Sequence, residues 1–276
     1  MSGGILRYPG GKTRAIKILE SIVSAYEFDV STVVSPFVGG ASFELYLANN
    51  YDSCIIANDK FKPLYLFWYY MKDRPDRVIR KVKSLRPLSK EKFLEIRDQL
   101  SDSDVSHVRR AAYYFAVNRS SFSGSTTCGG YSREAAKNRF NANAVIRLSN
   151  LDLTDFTFHN MDFKEFLKTI PDKDTFLFVD PPYDIDSNLY GVDEDFNHKK
   201  LRDVLSTRNN WILCYNDNKR VRKLYKNIGL IISVSWAYSM NASKKSKEIV
   251  IIRHDGKVPN LVSLTDSSDS DSSDND

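Results

Sequence analysis

The residues Asp180-Pro181-Pro182-Tyr183 combine an acid, two prolines and an aromatic ring in an order suited to holding an amine. Two prolines remove two backbone donors and stiffen the turn, so carbonyl oxygens there can point outward as acceptors. Asp180 can accept one N–H of an exocyclic amine while a carbonyl accepts the other, and Tyr183 can stack on the ring that carries it. Far upstream, Gly39 and Gly40 lack a Cβ and let a ligand approach the backbone, although a tight strand-to-helix turn would need the same residues. Asp59 follows them by about 20 residues, the spacing at which a doubly wound fold places a carboxylate that accepts hydrogen bonds from a ribose. A second glycine pair lies in Arg7-Tyr8-Pro9-Gly10-Gly11-Lys12-Thr13. A phosphate loop of the G-x-x-x-x-G-K-[ST] type needs a glycine where Leu6 stands, and a buried strand where the chain reads MSGGIL. Lys12 therefore serves some other charged ligand.

These residues need a framework, and the hydrophobic pattern supplies one. Apolar, β-branched runs at 32–37, 54–59, 156–160, 175–180, 211–217, 230–239 and 248–254 read as buried strands. ASFELYLANN and HKKLRDVLS have helical spacing between them, which predicts an α/β fold with a mostly parallel seven-stranded sheet covered on both faces. Gly39-Gly40, Asp59 and Asp180 then stand at the carboxyl ends of three strands. About 95 residues separate the second and third runs, too many for one crossover. Within that gap EKFLEIRDQL and VRRAAYYFAV read as helices and SSFSGSTTCGGYS as a glycine- and serine-rich loop. We expect a mainly helical insert over 61–140, an α/β domain over 1–60 and 141–258, and a disordered acidic tail over 259–276.

Charge is distributed to match. The net charge is +5, yet the last twelve residues carry five aspartates and no base, which leaves +10 on residues 1–264. Residues 62–140 hold 17 Lys and Arg against 8 Asp and Glu, so the insert carries most of the excess and suits a polyanion.

With the motifs in this order, the chain resembles the Dam-type DNA adenine-N6 methyltransferases, of the D12 class and alpha group. The resemblance rests on R-Y-P-G-G-K, on P-F-V-G-G at 36–40, on Asp59, on N-R-S-S-F-S-G at 118–124 and on D-P-P-Y. It implies a Rossmann-like, S-adenosylmethionine-dependent fold with a target-recognition insert. Methyl transfer to N6 of a flipped adenine in double-stranded DNA would follow, with S-adenosylhomocysteine as the product. By this resemblance Tyr8, Gly11 and Lys12 border the methionine end of the cofactor, where Lys12 meets a carboxylate. Pro36, Phe37, Gly39 and Gly40 form the glycine turn, Asp59 holds the ribose, and Asp162 with Phe163 flanks the cofactor adenine. Asp180, Pro181, Pro182 and Tyr183 form the catalytic motif, with Asp180 also bordering the cofactor.

Two positions depart from the family pattern. Ser35 stands where an acid usually precedes Pro-Phe, and Ser123-Gly124 where relatives often have Asn-Gly. Arg119, Ser121, Ser123, Arg133 and Asn138 are the expected DNA contacts, in a segment that joins the family motif to polar groups and arginine. Lys244, Lys245 and Lys247 are further candidates in a C-terminal hairpin. A DNA-binding relative without chemistry, an RNA adenine enzyme or a cytosine-N4 enzyme are the alternatives, although the Asp of D-P-P-Y favours adenine.

Composition narrows the setting. The longest apolar stretch, LYLFWYYM, is well short of the roughly 20 residues that span a bilayer, so no membrane contact is expected. Cys54, Cys128 and Cys214 are scattered and odd in number, and with four histidines they suggest neither disulfides nor a metal. We expect an intracellular protein, a monomer or weak dimer that could pair on DNA. Its place would be the cytoplasm of a prokaryote or virus-infected cell, or the nucleus of a eukaryote.

Overall fold

The computed structural model describes residues 4–7, 11–126, 128–183, 196–234 and 248–261. Seven strands form one sheet: β1 (Thr32–Ser35), β2 (Cys54–Asn58), β3 (Phe156–His159), β4 (Phe176–Val179), β5 (Trp211–Asn216), β6 (Leu230–Val234) and β7 (Glu248–Arg253). Their order is β3-β2-β1-β4-β5-β7-β6. The first five run parallel, and β7 lies antiparallel between β5 and β6. Strand order reverses between β1 and β4, which opens a crevice at their carboxyl ends.

The apolar runs fill both faces because side chains alternate along a strand. Val33, Phe176 and Phe178 enter one cluster with Leu19 and Ile22 of α1 (Ile16–Ala25) and with Phe43 and Leu47 of α2 (Ser42–Tyr51). Val34, Leu177 and Val179 enter the other, with α9 (Phe163–Thr169), α10 (His198–Leu205) and α11 (Lys219–Tyr225). Both faces are therefore dry, as a parallel sheet requires.

Between β2 and β3 come α3 (Lys62–Asp73), α4 (Pro75–Ser84), α5 (Lys90–Asp98), α6 (His107–Ser120), α7 (Arg133–Asn138) and α8 (Ala142–Ser149). Helix α6 is buried from Arg110 to Ser120 and packs against α3, α4, α5 and α7. Ala111, Ala112 and Ala116 keep its surface low enough for neighbours to approach. Pro63 and Pro75 sit in first turns, while Ser89, Ser132 and Asn141 cap helix N-termini. One apolar cluster runs from the sheet through α1 and α2 into these helices.

The glycine- and serine-rich stretch after α6 is more ordered than its composition suggests. Ser121 bridges Tyr131, Phe122 N–H donates to the Gly130 carbonyl at 2.9 Å, and Ser132 N–H donates to the Ser120 carbonyl at 2.9 Å. Among the described residues no helix is long and apolar enough to cross a membrane.

Candidate active site

Four strand ends meet at one cleft. After β1 the chain turns through Gly39 and Ala41, at left-handed φ of 45° and 52°. A non-glycine residue there marks a turn held by its surroundings. Trp68 of α3 supplies one restraint, its indole N–H donating to the Gly39 carbonyl at 2.9 Å. Asn58, buried at the end of β2, supplies another: its amide donates to the carbonyls of Pro36 and Met161, both at 3.1 Å, and accepts from Met161 N–H at 2.9 Å. The turns after β1, β2 and β3 are thereby tied together.

Asp59 accepts from the backbone N–H of Gly39 at 3.2 Å and of Phe61 at 2.9 Å, and burial nonetheless pushes its carboxyl up to about 6. Asp162 caps α9 by accepting from Lys164 N–H at 3.0 Å. Beside it, the rings of Phe37, Phe163 and Phe196 lie 5.5 Å apart, centroid to centroid, in all three pairings.

The far end of the cleft is charged. Lys12 lies in a 3₁₀ turn (Lys12–Arg14), only 3% exposed, and its ammonium donates to both oxygens of Asp180 at 2.7 and 2.8 Å. It also lies 5.0 Å from the centroid of the Tyr183 ring. Burial raises the Asp180 carboxyl and Lys12 opposes that rise. The Tyr183 hydroxyl donates to Glu248 of β7 at 2.6 Å, which fixes the ring from its far end. Below them, Ser35 donates to Glu44 of α2 at 2.6 Å, both being buried, and burial pushes the Glu44 carboxyl up to about 7.

The N-terminal segment is clipped to the loop after α6. Asn118 accepts from Arg7 N–H at 2.8 Å and donates to the Arg7 carbonyl at 2.7 Å, as a neighbouring strand would. Gly124 crosses the same segment at φ +77°, where a Cβ would lie 2.6 Å from Arg7 Cβ. The N-R-S-S-F-S-G stretch is in this respect a structural clip that carries the approach to Lys12.

Gly11, Lys12, Pro36, Phe37, Gly39, Gly40 and Asp59 line the cleft together with Asp162, Phe163, Asp180, Pro181, Pro182 and Tyr183. Tyr8 and Lys244, Lys245 and Lys247 lie outside the described residues, as does the side chain of Ser123. Two expected DNA contacts face inward. Arg119 is buried and donates to the carbonyls of Arg139, Gly4 and Ile5, and the Ser121 hydroxyl donates to the Asn118 carbonyl and accepts from Thr126 N–H. Both side chains are spent on the clip, because a buried polar group needs an internal partner. Arg133 and Asn138 are exposed, as are Arg139 and, at 70%, Phe122. Burial first, and then Arg147, Arg7 and Arg139 close by, push the Arg119 guanidinium down to about 10, in a corner where four arginines gather. Glu44, Asn58 and Glu248 escape sequence reasoning, since a lone polar residue in an apolar run does not disclose its partner, and Asn118, although part of the 118–124 motif, gives no sign of its pairing with Arg7.

The chain is similar to known methyltransferases over most of its length. The chain is 26% identical over 202 residues to the "Type II methyltransferase M.MjaIII" of Methanocaldococcus jannaschii, covering 64% of this chain and 68% of that protein. It is 22% identical over 229 residues to the "Type II methyltransferase M.CviBI" of Paramecium bursaria Chlorella virus NC1A, covering 80% and 85%. The family model for D12 class N6 adenine-specific DNA methyltransferases matches residues 8–240, and the chain belongs to that family.

Proposed function

We propose that this chain transfers a methyl group from S-adenosylmethionine to N6 of an adenine rotated out of a short duplex DNA site. The observation that carries the reading is the meeting, in one cleft, of the Asp59 carboxylate, the Phe37–Phe163–Phe196 wall and the Asp180–Tyr183 turn. The residues fit the cofactor: Asp59 suits a ribose diol, the three rings suit a purine, and the buried acids suit a cation. When bound, S-adenosylmethionine supplies an electrophilic methyl on a sulfonium.

The chain's own groups prepare the acceptor. An adenine amine is a poor nucleophile because its lone pair is delocalised into the ring. Asp180 and the Pro181 carbonyl each accept one of its N–H groups, which directs the lone pair toward the methyl, and Tyr183 stacks on the base. Lys12, donating to both oxygens of Asp180, opposes the upward push of burial and so favours the ionised, accepting form. Rotating the base out costs a few kcal/mol, which phosphate contacts from the basic helices must offset. Exposed Phe122 can fill the space the adenine leaves, and the exposure of Arg133, Asn138 and Arg139 supports a role for them in DNA contact.

The test is to incubate the protein with S-adenosylmethionine and unmethylated genomic DNA and to digest the product to nucleosides. N6-methyladenine supports the reading. N4-methylcytosine would replace the proposed acceptor, and the lack of any methylated nucleoside, with no cofactor binding, would replace the enzyme by a DNA-binding relative.

A further inference from the structure

Glu44 is a buried pocket acid to which the reaction as proposed gives no task of its own. It projects from the first turn of α2 into the floor of the cleft and is 2% exposed. Among the described residues Ser35 is its one side-chain hydrogen-bond partner, at 2.6 Å. The groups that face it come from every neighbouring element. Lys12 of the N-terminal turn and Asp180 after β4 act on its charge, and its own charge reaches the buried Cys214 thiol of β5. With both acids ionised, the Lys12 ammonium there faces two carboxylates, Glu44 and Asp180. Lys12 is already committed to Asp180. An excess of negative charge is built into a buried place, and a buried charge is stable only beside its opposite.

The sulfonium of the proposed cofactor must lie at this end, because the methyl it carries is delivered to an amine held by Asp180. Transfer changes its charge: the methyl goes to nitrogen, the C–S electron pair stays on sulfur, and a thioether remains. We propose that Glu44, oriented by Ser35, is the residue that distinguishes the two, binding cationic S-adenosylmethionine in preference to uncharged S-adenosylhomocysteine and so favouring product release. This inference rests on the methyltransferase reading.

The pH dependence has a definite sign. Burial holds the Glu44 carboxyl at about 7, so in the empty pocket it is protonated below that pH. A cation binds the ionised form better, so the contribution of Glu44 to S-adenosylmethionine affinity grows as pH rises through 7. S-adenosylhomocysteine gains nothing from it.

Equilibrium binding of both ligands to the full chain tests this, without turnover, for wild type, Glu44→Gln and Ser35→Ala between pH 6 and 8. At pH 8, Glu44→Gln should lose about tenfold of the preference for S-adenosylmethionine, an ordinary magnitude for a partly desolvated ion pair. At pH 6 it should match wild type within about twofold, since protonated Glu44 carries no charge. Ser35→Ala retains the acid but not its donor, so the pH at which the wild-type preference appears should move upward. Equal losses for both ligands at every pH, the sign of a merely structural role, or no change in either variant would overturn the inference. If wild type binds neither ligand, the methyltransferase reading falls with it; if it binds both and the variants do not differ, this inference alone falls.

Discussion

The Lys12 ammonium lies 2.7 and 2.8 Å from the two carboxylate oxygens of Asp180, joining the first turn of the chain to the end of β4 across 168 residues. The pair explains why a buried acid can still serve as an acceptor. Removing the ammonium leaves burial unopposed, so the Asp180 carboxyl rises further and is protonated at higher pH. Lys12→Met should therefore slow methyl transfer and move the acid limb of the single-turnover rate upward by about one unit or more. An unchanged limb would detach Lys12 from Asp180 in the working enzyme.

Gly124 tests the clip. Alanine there would place a Cβ 2.6 Å from Arg7 Cβ and 2.7 Å from the Arg7 carbonyl oxygen, at φ +77°. Strain and overpacking together should cost about 2–4 kcal/mol, read by denaturant unfolding. Cofactor affinity should fall as well, because the displaced segment leads to Gly11 and Lys12.

Arg119 and Arg139 should separate by the kind of damage they cause. Arg139 is exposed beside a positive corner, so Arg139→Ala should lower the slope of log affinity for DNA against log salt by about 1 and leave stability nearly unchanged. Arg119→Ala removes a guanidinium that satisfies the Arg139 carbonyl and packs on residues 4 and 5. Its effect should appear as lost stability, about 2–3 kcal/mol, before any change in salt slope.

Much of this architecture is legible in the sequence. All seven strands stand where β-branched runs predict them, and β1, β4, β5 and β7, buried almost throughout, have little freedom in composition. Part of the cleft lining is legible too, since Gly39, Asp59 and Asp180 follow β1, β2 and β4, and strand ends converge in a doubly wound sheet. What the sequence conceals is which polar groups face each other across it. Nothing local in VNRSSFSG says that Asn118 pairs with Arg7 more than a hundred residues away, or that Arg119 points inward while Phe122 points out. Glu44 is hidden for the same reason: helical spacing marks the face it occupies, whereas its partner Ser35 lies on another element.

The most direct test of the central claim is single-turnover methyl transfer to duplex DNA by wild type and Asp180→Asn, with S-adenosylmethionine binding measured alongside. Asparagine keeps the size of the side chain but turns one acceptor into a donor and cannot hold Lys12 as an ion pair. The account predicts a loss of about a thousandfold or more in rate at saturating S-adenosylmethionine, the scale of a removed transition-state contact and beyond any loss of cofactor affinity. A rate near that of wild type would contradict it.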